Sequence, residues 1–87
     1  MINNISIVIP VLNEERNIIN LITEIKKNLE RKIKYEIIIV DDGSSDNTND
    51  VLLKYIKENK KVLVFKHKQN YGQSISLRTG IMQTSSN

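Results

Sequence analysis

The run Ile37-Ile38-Ile39-Val40 is the feature that most narrows the folds open to this chain. Four β-branched residues in succession favour a strand. The absence of polar residues within the run indicates that both faces of that strand are covered, as in parallel sheets with helices on each side. The run leads without a break into Asp41 and Asp42. A buried strand is therefore predicted to deliver two carboxylates to one edge of a sheet.

Apolar runs and amphipathic segments alternate along the rest of the chain. Strands are predicted at Ile5–Ile9, Ile37–Val40 and Val62–Phe65, and each is followed by a helical pattern. Asn13 is the predicted N-cap of the first helix, and the third helix is predicted from about Ser74 to Thr84. Strands joined by single helices are parallel, with right-handed crossovers. The predicted fold is α/β, in the order β-α-β-α-β-α, with parallel strands arranged 3-2-1.

The composition excludes several classes of protein. A chain of 87 residues forms at most one small domain, and without cysteine it has neither disulfides nor a thiolate metal site. The net charge of +3 comes from scattered basic groups, and the three tyrosines and one phenylalanine lie far apart, so no nucleic acid is expected as a partner. No apolar run approaches the roughly 20 residues of a membrane span, and no signal peptide is recognisable. The predicted compartment is the cytoplasm.

Polar segments follow the first two predicted strands, at Pro10–Glu15 and Asp41–Asp46. Ligands bind at the carboxyl ends of the strands in an open parallel sheet, so both segments are expected at one crevice. Successive strand residues point to opposite faces. One of the two adjacent aspartates is therefore expected to face the crevice and the other to bind local backbone amides. An ionised aspartate only accepts hydrogen bonds, which suits ribose hydroxyls or an N–H on a base.

Simpler structural roles account for some of the same residues. The string DGSSDNT is equally typical of a turn followed by a helix N-cap, and Asn13 with Glu14 and Glu15 suits the start of a helix. A calcium loop fits poorly, because the glycine position of the EF-hand pattern falls on Asp46. Receiver domains carry their acidic pair after the first strand, not the second. His67, the only histidine, is interpreted as a surface residue, and NYGQS lacks the lysine of a P-loop.

Three segments together resemble the nucleotide-binding half of the inverting family 2 glycosyltransferases: SIVIPVLNEERNI, YEIIIVDDGSSDNT and NYGQSISLRTGI. Each segment alone is moderately specific, and the three in this order and spacing are highly specific. The resemblance extends from Ile5 to about Ile81 and is strongest to the enzymes that transfer a sugar from a nucleotide to polyprenyl or dolichyl phosphate. It implies the three-layer, Rossmann-like half of a GT-A fold.

The resemblance also implies which residues bind the nucleotide. Pro10, Leu12 and Glu14 match the first nucleotide-contacting loop of the family. Val40 and Asp42 match the second, with the aspartate on the base or ribose. Leu12 stands where an aromatic residue is common. The implied donor is a UDP- or GDP-sugar, and the implied acceptor is a polyprenyl phosphate at the cytoplasmic face of the membrane.

By the same resemblance, residues 1–87 are expected to be a single partial GT-A domain, truncated before the Asp-x-Asp motif that holds a divalent metal. Mg²⁺ or Mn²⁺ is expected only in the full-length enzyme. No catalytic residue and no metal ligand is assigned to this chain, which is expected to be catalytically incomplete. The alternative is a non-catalytic nucleotide-binding or oligomerising α/β module. Self-association through the free edge of the first strand is also expected.

Overall fold

Three strands and three helices alternate along the chain, as the sequence predicts. The computed structural model describes residues 4–29 and 34–84, so both ends of the predicted domain and residues 30–33 lie outside the described residues. The elements in chain order are β1 (Asn4–Val11), α1 (Ile18–Lys27), β2 (Lys34–Asp41), α2 (Thr48–Ile56), β3 (Val62–Lys66) and α3 (Gln73–Met82).

The sheet places β2 between β1 and β3, and both pairings are parallel. Ile37 of β2 pairs with Ile7 on one side and with Val62 on the other. The predicted 3-2-1 order of parallel strands is confirmed. Every residue of the run from Ile37 to Val40 is fully buried, because β2 is central and covered on both faces.

The main core lies between the sheet and the helices α1 and α2. Ile37 and Ile39 of β2 are buried there with Ile18 and Ile22 of α1 and Leu52 of α2. Burial of one such aliphatic side chain contributes about 1.5–3 kcal/mol. This cluster is therefore the largest source of hydrophobic stabilisation on that face of the sheet.

Helix α3 packs on the opposite face of the sheet, against β1 and β2. Gly80 is buried at this contact, and a Cβ atom on it would lie 3.3 Å from Val40 Cγ2 and would overlap Val8 Cγ1. The helix approaches the sheet this closely because Gly80 has no side chain. Helices on both faces of the sheet give the predicted three-layer arrangement.

The prediction that Asn13 caps α1 is wrong. The N-cap is Asn17, and the amides of Asn17 and Ile18 both donate to the carbonyl of Glu14, at 3.0 and 2.8 Å. Asn13 has a φ of 55°, in the left-handed region, so it cannot begin a helix directly. The first turn of α1 consequently contains no acidic residue, and Glu14 and Glu15 do not act as charges within it.

The outer strands of the described sheet each have a neighbour on one side only. The outward edge of β1 is therefore open, as expected from the sequence. Helix α3 exposes apolar side chains on its outer surface, with Ile81 61% and Met82 73% exposed. Within residues 4–29 and 34–84, no helix is both long enough and apolar enough to cross a membrane.

Candidate functional site

Polar loops follow all three strands at the same edge of the sheet. We call residues 12–17 the first loop, residues 42–47 the second loop and residues 67–72 the third loop. The amide of Asp42 donates to the carbonyl of Val11 at 2.9 Å, and the amide of His67 donates to that of Asp41 at 2.8 Å. These bonds continue the strand pairing to the rim of the sheet, where open α/β folds bind ligands.

Asn13 joins the first loop to the second. Its side-chain oxygen accepts hydrogen bonds from the amides of Ser45 at 2.8 Å and Asp46 at 3.3 Å. Its own amide donates to Ser44 Oγ at 2.9 Å. Asparagine tolerates the left-handed conformation better than most residues. Asn13 therefore connects two loops across the crevice instead of capping a helix.

Asp46 and Thr48 make a second connection between the same loops. The amide of Glu14 donates to Thr48 Oγ1 at 2.9 Å, and the amide of Glu15 donates to Asp46 Oδ2 at 3.4 Å. Asp46 also accepts bonds from the hydroxyl and the amide of Thr48. The pKa of Asp46 lies below its usual value, chiefly because of the Thr48 hydroxyl, while desolvation opposes this effect. Much of the polar string after β2 thus holds the loops together and starts α2.

The two adjacent carboxylates at the end of β2 serve different loops. Asp41 is fully buried, and its Oδ1 accepts hydrogen bonds from the amide of Ser44 at 3.0 Å and from the Ser44 hydroxyl. Asp41 therefore stabilises the local turn, which is the role that strand alternation predicts for one member of the pair. Asp42 bonds instead to the third loop.

Asp42 is the centre of a small hydrogen-bond network. Its carboxylate accepts bonds from the amides of Tyr71 at 2.9 Å and Gly72 at 2.8 Å and lies 2.8 Å from His67 Nδ1. Burial is the largest single influence and raises the pKa of Asp42, but the His67 bond, the two amide bonds and the nearby Ser76 hydroxyl together bring this pKa below its usual value. Asp42 is thus an ionised acceptor at the rim of the crevice.

The interpretation of His67 as a surface residue is wrong. Only 11% of its side chain is exposed, and its Nε2 lies 2.8 Å from Thr79 Oγ1 on α3. The ring of Tyr71 meets it edge-on, with the centroids 5.2 Å apart. One signal in the sequence pointed to this role. His67 follows directly after β3, which places it at the same sheet edge as Asp42.

A cavity of about 360 Å³ opens beside Asp42, within the range of about 300–1,000 Å³ typical of small-molecule sites. Pro10, Leu12 and Asp42 of the predicted set line it together. Val40 is fully buried and Glu14 is exposed, and neither is among the lining residues. The other lining residues are Val11, Asn70, Gly72 and Gln73.

The lining of this cavity suits an uncharged ring with polar edges. Pro10, Val11 and Leu12 supply apolar contacts from the end of β1. An ionised carboxylate has about four acceptor positions, so Asp42 can accept a further N–H or hydroxyl beside its three protein donors. None of the lining residues is basic, and a phosphate would therefore find no cationic partner within the cavity.

The described residues do not fit a metal site. Among residues 4–29 and 34–84, no three His, Cys, Asp or Glu side chains lie close enough together to hold an ion. Asp41 Oδ1 accepts hydrogen bonds within the second loop, and the Asp42 carboxylate is bonded to the third loop. A depression of about 500 Å³ lies on α2, but it is lined only by that helix and its two flanking residues, so no strand end reaches it.

The chain is similar in sequence to known transferases. The model described as glycosyl transferase family 2 matches residues 6–87. Undecaprenyl-phosphate 4-deoxy-4-formamido-L-arabinose transferase of Proteus mirabilis is 39% identical over 84 residues, which cover 94% of this chain and 26% of that protein. Dolichyl-phosphate beta-glucosyltransferase of Saccharomyces cerevisiae is 38% identical over 85 residues, which cover 90% of this chain and 25% of that protein. The chain spans about a quarter of the length of these relatives.

A solved structure shares the fold. A mannosyltransferase from Pyrobaculum calidifontis, in complex with GDP-Man and Mn²⁺, matches with a TM-score of 0.81 over 95% of this chain and 24% of its own. The two sequences are 19% identical, so the likeness concerns the fold. It confirms the predicted GT-A architecture.

Proposed function

The chain belongs to glycosyl transferase family 2, and from this premise we propose that it is the nucleotide-sugar-binding N-terminal portion of an inverting glycosyltransferase. The full-length enzyme transfers a sugar from a UDP- or GDP-sugar to a polyprenyl phosphate at the cytoplasmic face of the membrane. The acceptor oxygen displaces the nucleoside diphosphate in a single step. Relatives named for undecaprenyl and dolichyl phosphate support this acceptor class, and the neighbour with GDP-Man supports this donor class.

The observation that carries the proposal is the cavity beside the ionised carboxylate of Asp42. Pro10 and Leu12 contact the nucleoside through apolar surface, and Asp42 accepts a hydrogen bond from the base or ribose. Val40 supports this floor from within the sheet, since it is fully buried next to Asp41. Glu14 lies on the exposed first loop and contacts the nucleotide from outside the cavity.

Binding of nucleosides and nucleotides tests this role. We expect uridine or guanosine and the matching diphosphate to bind with similar dissociation constants, on the order of 1 mM, because no basic residue lines the cavity. Asp42→Ala is expected to abolish binding in calorimetry. Asp50→Ala is the matched control, because Asp50 is an exposed carboxylate of α2 and does not line the cavity. Asp46→Ala is expected mainly to weaken the start of α2. A folded chain that binds none of these ligands would contradict the proposal.

Sugar transfer by the chain alone is not expected. Its 87 residues contain no Asp-x-Asp, and the part of the chain that the structure describes provides no metal site. We propose that residues 1–87 are a single partial GT-A domain and that Mg²⁺ or Mn²⁺ is bound only in the full-length enzyme. Incubation with a nucleotide sugar, Mn²⁺ and a polyprenyl phosphate should give no product. Product formation would show that the missing motif is dispensable.

A non-catalytic nucleotide-binding or oligomerising module is the second candidate. The open edge of β1 and the exposed apolar side chains of α3, including Ile81 and Met82, favour it. An open edge strand is a template for pairing with another chain, so this candidate predicts self-association. Sedimentation velocity at rising concentration should then show an increase in mass. A monomer at every concentration would contradict the oligomerising role.

A further inference from the structure

We propose that His67 is a positioning residue for nucleoside recognition, which fixes the orientation of Asp42 without touching the ligand. The inference rests on the proposed function, in which Asp42 accepts a hydrogen bond from the nucleoside. His67 is not among the residues that line the cavity. Its ring nevertheless hydrogen-bonds to the Asp42 carboxylate, with Nδ1 2.8 Å from Oδ1.

The imidazole ring is held at both of its nitrogens. Nδ1 lies 2.8 Å from Asp42 Oδ1, and Nε2 lies 2.8 Å from Thr79 Oγ1. The side chains of His67 and Asp42 are only 11% and 7% exposed, so water competes little for these bonds. Thr79 belongs to α3, which packs on the sheet. The ring therefore connects the carboxylate at the end of β2 to a helix on one face of that sheet.

The protonation of the ring follows from its two partners. An ionised carboxylate only accepts hydrogen bonds, so Nδ1 carries a hydrogen and donates to Asp42. A hydroxyl can both donate and accept. The Thr79 hydroxyl donates to Nε2 when the ring is neutral and accepts from it when the ring is charged. The bond from His67 to Asp42 is consequently present in both charge states of the ring.

Three donors of the third loop form hydrogen bonds with the Asp42 carboxylate. His67 and the amide of Tyr71 meet Oδ1, and the amide of Gly72 meets Oδ2. The third loop therefore folds around Asp42 and is bonded to it at both ends. Gly72 also lines the cavity. A rotation of Asp42 would thus move both the acceptor for the ligand and part of the cavity wall.

A catalytic role for this arrangement does not fit the structure. Asp42, His67 and Thr79 form a carboxylate-imidazole-hydroxyl series like that of a hydrolase triad. Thr79 is not among the residues lining the cavity, so its hydroxyl has no neighbouring space there for a substrate carbonyl. The series is therefore suited to orienting a carboxylate, not to activating a nucleophile.

Two conservative variants separate positioning from general stabilisation. Asparagine places a donor near the position of Nδ1, so His67→Asn keeps the bond to Asp42 and loses the bond to Thr79. Glutamine reaches the position of Nε2, so His67→Gln keeps the Thr79 bond and loses the Asp42 bond. Both variants are expected to stay folded, and His67→Gln is expected to melt lower, because the bond that it loses is charge-assisted. Nucleoside affinity is expected to fall about tenfold in His67→Gln, the effect of one lost charge-assisted bond, and less than threefold in His67→Asn.

The outcomes are distinct. Equal losses of affinity in the two variants, in proportion to their losses of stability, would overturn the positioning role, as would wild-type affinity in His67→Gln. If the wild-type chain binds no nucleoside, the proposed function fails, and NMR still tests His67. The ¹⁵N shifts of its ring should then report a hydrogen on Nδ1, and the amide shifts of Tyr71 and Gly72 should move in His67→Gln but not in His67→Asn. A neutral ring with its hydrogen on Nε2 would overturn the inference.

Discussion

Gly80→Ala tests the close packing of α3 on the sheet, which sets the position of Thr79 and of the third loop. In the interior of a helix alanine is better than glycine by about 0.8–1 kcal/mol, so an uncrowded position would be stabilised by that amount. At Gly80 the new Cβ would overlap Val8 Cγ1 and lie 3.3 Å from Val40 Cγ2. Overpacking of this kind costs about 1–3 kcal/mol. The expected net result is a loss of about 1 kcal/mol, with a range of about 0–2.

A double-mutant cycle with Val8→Ala isolates the steric contribution. Val8→Ala alone should cost about 1–2 kcal/mol for two partly buried methyl groups. In that background Gly80→Ala should become stabilising by about 1 kcal/mol, because the overlapping methyl group is gone. The coupling energy should therefore reach about 1–3 kcal/mol, which lies within the range of about 0.5–3 kcal/mol found for residues in contact.

Urea denaturation followed by circular dichroism measures each free energy of unfolding. Ser74→Ala is the control, because Ser74 is an exposed residue of the same helix and should gain only about 0.5 kcal/mol from helix propensity. If Gly80→Ala stabilises the protein by about 1 kcal/mol in both backgrounds, α3 does not approach the sheet as described.

Three further changes test the loops. Gly43→Ala should lower the free energy of unfolding by about 2–4 kcal/mol in urea denaturation, because Gly43 has a φ of 76° and a Cβ added there would lie 2.5 Å from the carbonyl carbon of Gln69. Unchanged stability would refute this close approach of the two loops. The pKa of Asp42 is lowered in the folded state, so the stabilisation by this carboxylate is complete above the unfolded pKa of about 4 and is lost as the pH falls through the lower folded value. Asp42→Asn should therefore reduce the loss of stability on acidification in urea denaturation between pH 2 and 7. An acid profile identical to that of the wild type would contradict this prediction. Asn13→Gly should be more stable than Asn13→Ala by about 1 kcal/mol in urea denaturation, because both variants lose the side-chain bonds to the second loop but only glycine suits a φ of 55°. The reverse order of stability would be inconsistent with this conformation.

Local sequence patterns were sufficient for the sheet and for part of the site. The unbroken run from Ile37 to Val40 identified a central parallel strand, because only a strand covered on both faces excludes polar residues so completely. The alternation of residues along that strand also separated the roles of Asp41 and Asp42. These features depend on neighbouring residues, which is why they are readable without knowledge of the rest of the fold.

The roles of Asn13 and His67 depend on residues distant in the chain. Asn13 next to two glutamates is typical of a helix start, and nothing local distinguishes that from its actual bonds to Ser45 and Asp46. The only histidine in the sequence has no nearby partner, since Asp42 lies 25 positions before it. Contacts of this kind follow from strand order and register, so they become visible only when the sheet is assembled.

The bonds across the crevice have a consequence for the order of folding. Asn13 and Ser44 are 31 positions apart, and Gly72 and Asp42 are 30 apart. Closing such segments costs chain entropy before any contact compensates for it. All three strands must therefore be in register before the crevice exists, whereas α1 and α2 can begin to form earlier from local interactions. We therefore expect nucleoside binding to appear in the last kinetic phase of refolding, when the fold is complete. A bound nucleoside should also slow unfolding of the chain.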